Sequence, residues 1–202
     1  MSKVKICGLS RIAEIEAANR ILPDYIGFVF APSRRRIDIK TAARLKAKLD
    51  PRIKAVGVFV NEDIRTISEI YQNGTIDLVQ LHGDEEDFYI GRLKKICAAP
   101  VIKAVSVGEG LPALPGKADY LLFDTVSGQR GGTGRTFDWH ILKEYHELPY
   151  FLAGGLSLEN VGEAIHMLAP FGVDVSSGVE TEGIKDIEKM EDFVRLVRRE
   201  KE

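Results

Sequence analysis

A cysteine and an aspartate stand at the ends of two apolar runs, where their side chains could exchange protons with a substrate. Cys7 closes the run that begins at Val4, and Asp124 follows the apolar stretch from Tyr120 to Phe123. A buried carboxyl group needs a partner or a purpose, whereas a lone buried cysteine is more often an inert hydrophobic residue. Asp124 could also cap or pair with the following loop. We predict that Cys7 and Asp124 form an acid and base pair for proton transfer.

Two glycine-containing segments later in the chain have the composition of phosphate-binding loops. Gly154 and Gly155 precede a helical pattern, and Ser177 and Gly178 follow the last apolar run, directly after Ser176. Backbone N–H groups in such turns, together with hydroxyls and helix N-termini, bind phosphate oxygens. The glycines could instead serve only to permit tight turns. The two segments follow the last two of eight apolar runs in the chain, and (β/α)₈ barrels commonly bind phosphate after their seventh and eighth strands. We therefore predict a phosphate site here.

Other polar residues near the ends of apolar runs are candidates for holding a substrate. His82 ends the fourth run and Asp174 lies in the last, whereas Arg36 follows the second run in a basic segment with Arg34 and Arg35. His82 could equally be a satisfied core histidine, and Arg34 and Arg35 suit a solvated surface. The His, Cys, Asp and Glu residues show no metal-ligand spacing, so we predict no metal.

The elements that must position these residues alternate between strand-like and helix-like segments. Short runs rich in Val, Ile, Leu and Phe are typical of parallel strands buried on both faces. Eight such runs occur, at 4–7, 25–30, 55–60, 78–82, 101–107, 120–124, 150–153 and 173–176. Helical spacing recurs between them, as at Ile64, Ile67 and Tyr71, and Asn61 and Ser157 occupy positions typical of N-caps. The linker 108–116 is rich in glycine and proline, so we expect no regular helix there.

Eight strand and helix units in 202 residues predict an α/β fold, a single (β/α)₈ TIM barrel domain spanning residues 1–202. An open doubly wound sheet is the alternative, but it normally uses fewer strands at this length, and its glycine-rich fingerprint after the first strand is missing. In a barrel, the C-terminal ends of the strands meet at one mouth, where active sites form. The reactive side chains lie at those ends, which indicates an enzyme.

Composition limits the partners of the chain. The formal net charge is −2, so no broad positive field is available to hold nucleic acid or an acidic membrane. No apolar run approaches the ~18 residues of a membrane-spanning helix, and the first residues lack the apolar region of a signal peptide. Two cysteines in this length suit a reducing compartment. We expect a cytoplasmic protein that acts on a small molecule, either as a monomer or as a homodimer.

Seven motifs, in order along the whole chain, resemble those of phosphoribosylanthranilate isomerases. They are KICGL at 5–9, GFVF at 27–30, VFVN at 58–61, VQLHG at 79–83, GGTGRTFDW at 131–139, AGGL at 153–156 and VDVSSGVE at 173–180. One such motif is weakly specific, whereas seven in order are highly specific. The resemblance implies a cofactor-free Amadori rearrangement of N-(5-phosphoribosyl)anthranilate to 1-(2-carboxyphenylamino)-1-deoxyribulose 5-phosphate, in tryptophan biosynthesis.

The resemblance also implies roles for residues at matching motif positions. Cys7 resembles the general base of the family, Asp124 its general acid, and Arg36 the residue that holds the anthranilate carboxylate. The remaining matches are His82, Asp174 and Ser176 for further substrate contacts, and Gly154, Gly155, Ser177 and Gly178 for the phosphate loops. One segment departs from the family, since residues 31–36 read APSRRR where relatives usually have Lys-Ser-x-Arg. A local slip in this loop would make Arg35 the carboxylate ligand.

Two rival interpretations remain at this point. A related histidine-pathway isomerase performs the same rearrangement on a bulkier substrate, but we expect such an enzyme to be longer and to carry an acidic residue in place of Cys7. A non-catalytic phosphosugar-binding barrel would bind without turnover. The presence of both Cys7 and Asp124 favours an enzyme over this second interpretation.

Overall fold

Eight parallel strands close into a barrel in the computed structural model, which describes residues 2–125 and 137–199. The strands are β1 (Lys3–Cys7), β2 (Tyr25–Val29), β3 (Lys54–Phe59), β4 (Leu78–Leu81), β5 (Val101–Val107), β6 (Tyr120–Thr125), β7 (Tyr150–Leu152) and β8 (Gly172–Val175). Strand β1 pairs with β8 and closes the sheet, with Lys5 opposite Asp174. The predicted (β/α)₈ barrel is confirmed, the open sheet is excluded, and each predicted run matches its strand to within one residue at either end.

Six α-helices cover the outside of the barrel in the described ranges. They are α1 (Ile12–Ile21), α2 (Ile39–Lys46), α3 (Ile64–Gln72), α4 (Asp87–Ile96), α5 (Val161–Leu168) and α6 (Ile187–Arg199). Residues 108–116 form no helix, as their glycines and prolines predict. Residues 131–136 of the GGTGRTFDW motif lie outside the described residues. Among the helices of the two described ranges, none has both the length and the apolar character needed to cross a bilayer.

The N-caps of two helices differ from the prediction. Helix α3 begins after Asp63, whose side chain accepts a hydrogen bond from a backbone N–H of the first turn. Asn61 instead has a left-handed φ of 50° and donates its backbone N–H to Glu85 at 2.7 Å. Ser157 opens a turn before α5, and Asn160 occupies the N-cap position. Both predictions were wrong, because Asn61 bonds to Glu85 of a neighbouring loop and Ser157 bonds to Asn160 in a turn that precedes the helix.

Strand alternation divides the barrel into an outer and an inner layer, and this division aims the reactive side chains. Val4 and Ile6 of β1 pack outward into the main core beneath the helices, so Lys5 and Cys7 point into the barrel. A separate apolar cluster fills the interior below the mouth, with buried members from five strands: Val56, Leu78, Ile102, Ala104, Leu122, Phe151 and Ala153. This cluster forms the floor of the site.

Candidate active site

The C-terminal mouth of the barrel contains a cavity of about 520 Å³, which is lined by the ends of six strands and by loop residues that include those after β7. Of the ten residues predicted for the site, eight line this cavity: Cys7, His82, Asp124, Gly154, Gly155, Asp174, Ser176 and Ser177. Arg36 and Gly178 lie elsewhere, as described below. The barrel topology therefore brings most of the predicted residues to one place.

Cys7 is buried at the edge of this cavity, among charged groups. Burial raises the pKa of the Cys7 thiol, and the ammonium groups of Lys5 and Lys185 act in the opposite direction. Lys5 is completely buried and pairs with Asp174 through a contact of 2.9 Å between Nζ and Oδ1. Burial likewise raises the pKa of the Asp174 carboxyl, although the Lys5 ammonium opposes this shift. The thiol thus sits beside a buried ion pair that the sequence motifs do not predict.

Asp124 lies on the other side of the cavity, facing a histidine. Its Oδ2 is 3.5 Å from His82 Nε2, and its Oδ1 accepts the backbone N–H of Thr125 at 2.8 Å. Gln80 Nε2 donates to His82 Nδ1 at 2.9 Å, so the proton of the neutral ring is on Nε2, the nitrogen nearer to Asp124. Gln80 is a site residue that sequence reasoning missed. Its polar side chain inside a buried run was the available signal.

A short hairpin after β8 is linked through Ser176 to the Cys7 side of the mouth by hydrogen bonds. Its strands are β9 (Glu180–Thr181) and β10 (Ile184–Lys185). The buried Lys185 ammonium donates to Ser176 O at 2.8 Å and to Glu180 Oε1 at 2.7 Å, and Ser176 Oγ donates to Cys7 O at 3.1 Å. Sequence reasoning gave no role to Lys185 or Glu180, because a bond between the two ends of a hairpin leaves no spacing motif.

The three consecutive arginines differ in their contacts and in their exposure. Arg35 lines the mouth cavity and donates Nε and NH2 to the two carboxylate oxygens of Glu180, at 2.7 and 2.8 Å. Arg34 also contacts Glu180 from a more exposed position, at 2.7 Å. Arg36 is exposed and lines a neighbouring cavity beside Phe30. Of the two arginines considered for the substrate carboxylate, only Arg35 therefore faces the mouth.

Positive charge exceeds negative charge around Glu180. The cations Arg34, Arg35 and Lys185 all contact this single carboxylate. Although burial acts to raise it, the hydrogen bonds from Arg35 and Lys185 hold the pKa of Glu180 below its usual value. Burial lowers the pKa of Lys185, although its bond to Glu180 opposes this shift. The Glu180 carboxylate therefore stays ionised, and the two arginines that contact it give the cluster an excess of positive charge beside the cavity, which suits an anionic ligand.

The loops after β7 and β8 meet closely at the third side of the cavity. Gly154 and Gly155 have left-handed φ values of 80° and 73°, which glycine adopts without strain. A Cβ on Gly154 would lie 2.8 Å from Asp124 Oδ1, and one on Gly178 would lie 2.0 Å from Leu156 O. Gly178 thus allows the two loops to pack together, whereas Gly154 and Gly155 line the cavity directly.

A family model, a sequence relative and a solved structure agree on the kind of protein that this chain resembles. A model of the family described as N-(5'-phosphoribosyl)anthranilate (PRA) isomerase matches residues 4–196. The N-(5'-phosphoribosyl)anthranilate isomerase of Endomicrobium trichonymphae is 50% identical over 98% of this chain and 99% of its own length. The crystal structure of phosphoribosyl anthranilate isomerase from Thermotoga maritima is 34% identical, has a TM-score of 0.86, and is matched over 98% of this chain and 100% of its own.

A further solved structure contains a bound ligand. It is a phosphoribosyl anthranilate isomerase in complex with reduced 1-(o-carboxyphenylamino)-1-deoxyribulose 5-phosphate. This protein is 32% identical to the chain, with a TM-score of 0.83 and coverage of 98% of this chain and 100% of the other. The similarity therefore extends over the entire barrel, including every strand that contributes to the mouth.

Proposed function

The chain belongs to the N-(5'-phosphoribosyl)anthranilate isomerase family, and we propose that its barrel mouth is the active site, with Cys7 as general base and Asp124 as general acid. The enzyme is an isomerase of tryptophan biosynthesis that catalyses the Amadori rearrangement of N-(5-phosphoribosyl)anthranilate. One observation carries the residue assignment: Cys7 and Asp124, far apart along the chain, line the same cavity. The family displaces the histidine-pathway enzyme as an interpretation, and the presence of both residues in one cavity favours an enzyme over a binding-only barrel.

The first step in this proposal opens the ribose ring. A protonated Asp124 donates its proton to the furanose ring oxygen while the bond from C1 to that oxygen breaks. The lone pair of the anthranilate nitrogen forms the C=N bond of a Schiff base. His82, 3.5 Å from the Asp124 carboxyl, is placed to hold this group toward the ring oxygen. A positioned acid of this kind is typically worth ~10²–10⁴-fold in rate.

The second step moves a proton from carbon. The Cys7 thiolate removes the proton from C2 of the Schiff base, and the electron pair shifts toward nitrogen to form an enolamine. Tautomerisation through solvent then adds a proton at C1 and removes the proton of the C2 hydroxyl, which leaves the ketone product. Proton exchange with solvent returns Cys7 to the thiolate and Asp124 to the acid. The thiolate is required here because a neutral thiol cannot accept the proton.

The two anionic ends of the substrate determine its orientation. We assign the phosphate to the loops after β7 and β8, where Gly154, Gly155 and Ser177 line the cavity and the turns can present backbone N–H groups. The anthranilate carboxylate then lies toward the positively charged cluster around Glu180. The same proposal sets the reaction in the cytoplasm and requires neither nucleic acid nor a membrane.

We expect Arg35, rather than Arg36, to hold the anthranilate carboxylate. Arg35→Ala should raise KM by about 10–100-fold, the value of one or two charge-assisted hydrogen bonds, with a smaller effect on kcat. Arg36→Ala is the matched control, since it removes the same group from an exposed site outside the mouth. Steady-state kinetics on both variants decide the question. A large rise in KM for Arg36→Ala alone would return the assignment to Arg36.

The fluorescence of N-(5-phosphoribosyl)anthranilate provides the test of the activity itself. The purified protein should consume this fluorescent compound in the absence of any added cofactor. Turnover of the bulkier histidine-pathway substrate should be negligible beside it. If micromolar protein bound the phosphosugar but left its fluorescence unchanged, the chain would be a binding barrel and not an isomerase.

A further inference from the structure

Lys5 is a buried charged residue for which the proposed reaction has no direct use. It lies on β1 two residues before Cys7, so that both side chains point into the barrel. Its side chain has no solvent exposure, and the interior layer below it is apolar. An ammonium ion is costly to bury unless charged or polar partners satisfy it. The neighbours of Lys5 therefore indicate what the charge is for.

Two acidic groups act on the Lys5 ammonium. Asp174 Oδ1 accepts a hydrogen bond from Nζ at 2.9 Å, and Cys7, on the same inward face of β1, attracts the ammonium electrostatically. An ammonium has three N–H donors, so the bond to Asp174 leaves two donors for a thiolate. Burial alone would lower the pKa of Lys5, but Asp174 and Cys7 outweigh this effect and raise it, so Lys5 stays charged.

Other charged groups face Cys7 from neighbouring elements, but they have different primary partners. Lys185 of β10 and Arg35 of the loop after β2 both bond to Glu180. Asp174 of β8 opposes formation of a thiolate, as does the burial of Cys7 itself. Further round the mouth, His82 and Asp124 lie near Asp174. Among the cations of the described residues that act on Cys7, Lys5 has the largest effect in favour of the thiolate.

We infer that Lys5 is a positioning residue that stabilises the thiolate of Cys7 from inside the barrel, with Asp174 holding its ammonium in place. The inference rests on the proposed role of Cys7 as the general base. When Cys7 loses its proton, the ammonium of Lys5, which has no solvent exposure, faces two anions instead of one, and little water is present to weaken this attraction. Asp174 has the opposite effect on the thiolate and thereby limits the stabilisation.

Alkylation of the thiol by iodoacetamide tests this inference independently of turnover. In a Cys97→Ala background, Cys7 is the only thiol of the chain, so the pH dependence of alkylation reports its ionisation. We expect Lys5→Met to move the midpoint upward by about one pH unit. At a fixed pH below the midpoint, this shift corresponds to roughly tenfold slower alkylation. Asp174→Asn should move the midpoint downward, because it removes a negative charge and keeps Lys5.

Lys103→Met is the matched control. Lys103 is also a buried lysine of the barrel wall, but its Nζ contacts Gly83 O at 2.7 Å and Glu85, away from Cys7. This variant should leave the midpoint unchanged. If Lys5→Met fails to fold, Lys5→Gln replaces it, because the amide keeps hydrogen-bonding capacity and removes only the charge. A folded Lys5 variant with the midpoint of the parent protein would show that Lys5 serves packing alone.

The pH profile of catalysis links the thiol to the reaction. Because a base acts in its deprotonated form, kcat/KM should rise with pH through the midpoint of Cys7. In Lys5→Met, this rise should shift upward by the same amount as the alkylation midpoint, with KM nearly constant. If alkylation shifts while the kcat/KM profile does not, Lys5 controls the thiol but Cys7 is not the base. The two failures are therefore distinguishable.

Discussion

Replacing Cys7 with alanine is expected to lower kcat by about 10²–10⁴-fold, the usual value of one positioned base, with little change in KM. The thiol touches the reacting carbon in the proposed mechanism, whereas the two anionic ends of the substrate are held elsewhere. Alanine also fits the small apolar cluster around Cys7, which contains Val29 and Val58. Steady-state kinetics with the fluorescent substrate, together with thermal unfolding, measure both consequences.

Cys97→Ala is the control for this prediction, because it makes the same chemical change at the other cysteine. Cys97 is buried at the end of α4 and belongs to the main core rather than to the mouth. Its replacement should reduce stability modestly and leave kcat close to that of the parent protein. Near-normal turnover by Cys7→Ala would rule out the thiol as the base, and another group at the mouth would then have to remove the proton from C2.

The barrel could be predicted from the sequence because its strands have a recognisable pattern of residues. Parallel strands buried on both faces are continuous apolar runs, and each of the eight runs matches a strand. The caps of α3 and α5 were less predictable. Asn61 and Ser157 are good N-cap types, yet Asn61 bonds to Glu85 of a neighbouring loop, and Ser157 bonds to Asn160 in a turn that precedes α5. Neither the long-range bond nor the additional turn is visible in local spacing.

Most of the site was predictable for a topological reason. A closed parallel barrel brings the C-terminal end of every strand to one mouth, so Cys7 and Asp124 had to approach one another once the fold was correct. Lys5 and Gln80 left a weaker signal, as polar residues within buried runs. The directions of the Arg35 and Arg36 side chains left no signal in the sequence, because side chains in an irregular loop do not alternate regularly between two faces. Arg35 is held by Glu180, which comes from the far end of the chain.

Replacing Asp124 with asparagine is expected to lower kcat by about 10²–10⁴-fold as well, with KM again nearly unchanged. The amide has the shape of the carboxyl group, and its oxygen can still accept the N–H of Thr125, which Asp124 Oδ1 accepts at 2.8 Å. What is lost is the proton that the furanose oxygen needs as its bond to C1 breaks. The local structure should therefore persist while ring opening becomes slow.

Asp119→Asn is the control for this prediction, because it makes the same chemical change at a carboxylate outside the mouth. Asp119 precedes the same strand, β6, at the opposite end of the barrel, where it accepts the N–H of Val101 at 2.8 Å and pairs with Lys94. Its replacement should lower the melting temperature and leave kcat unchanged. If Asp124→Asn instead retained most of its turnover, the acid would have to be His82, the neighbouring group that can carry a proton. His82→Ala would then cause the larger loss, and the roles of the two residues would be reversed.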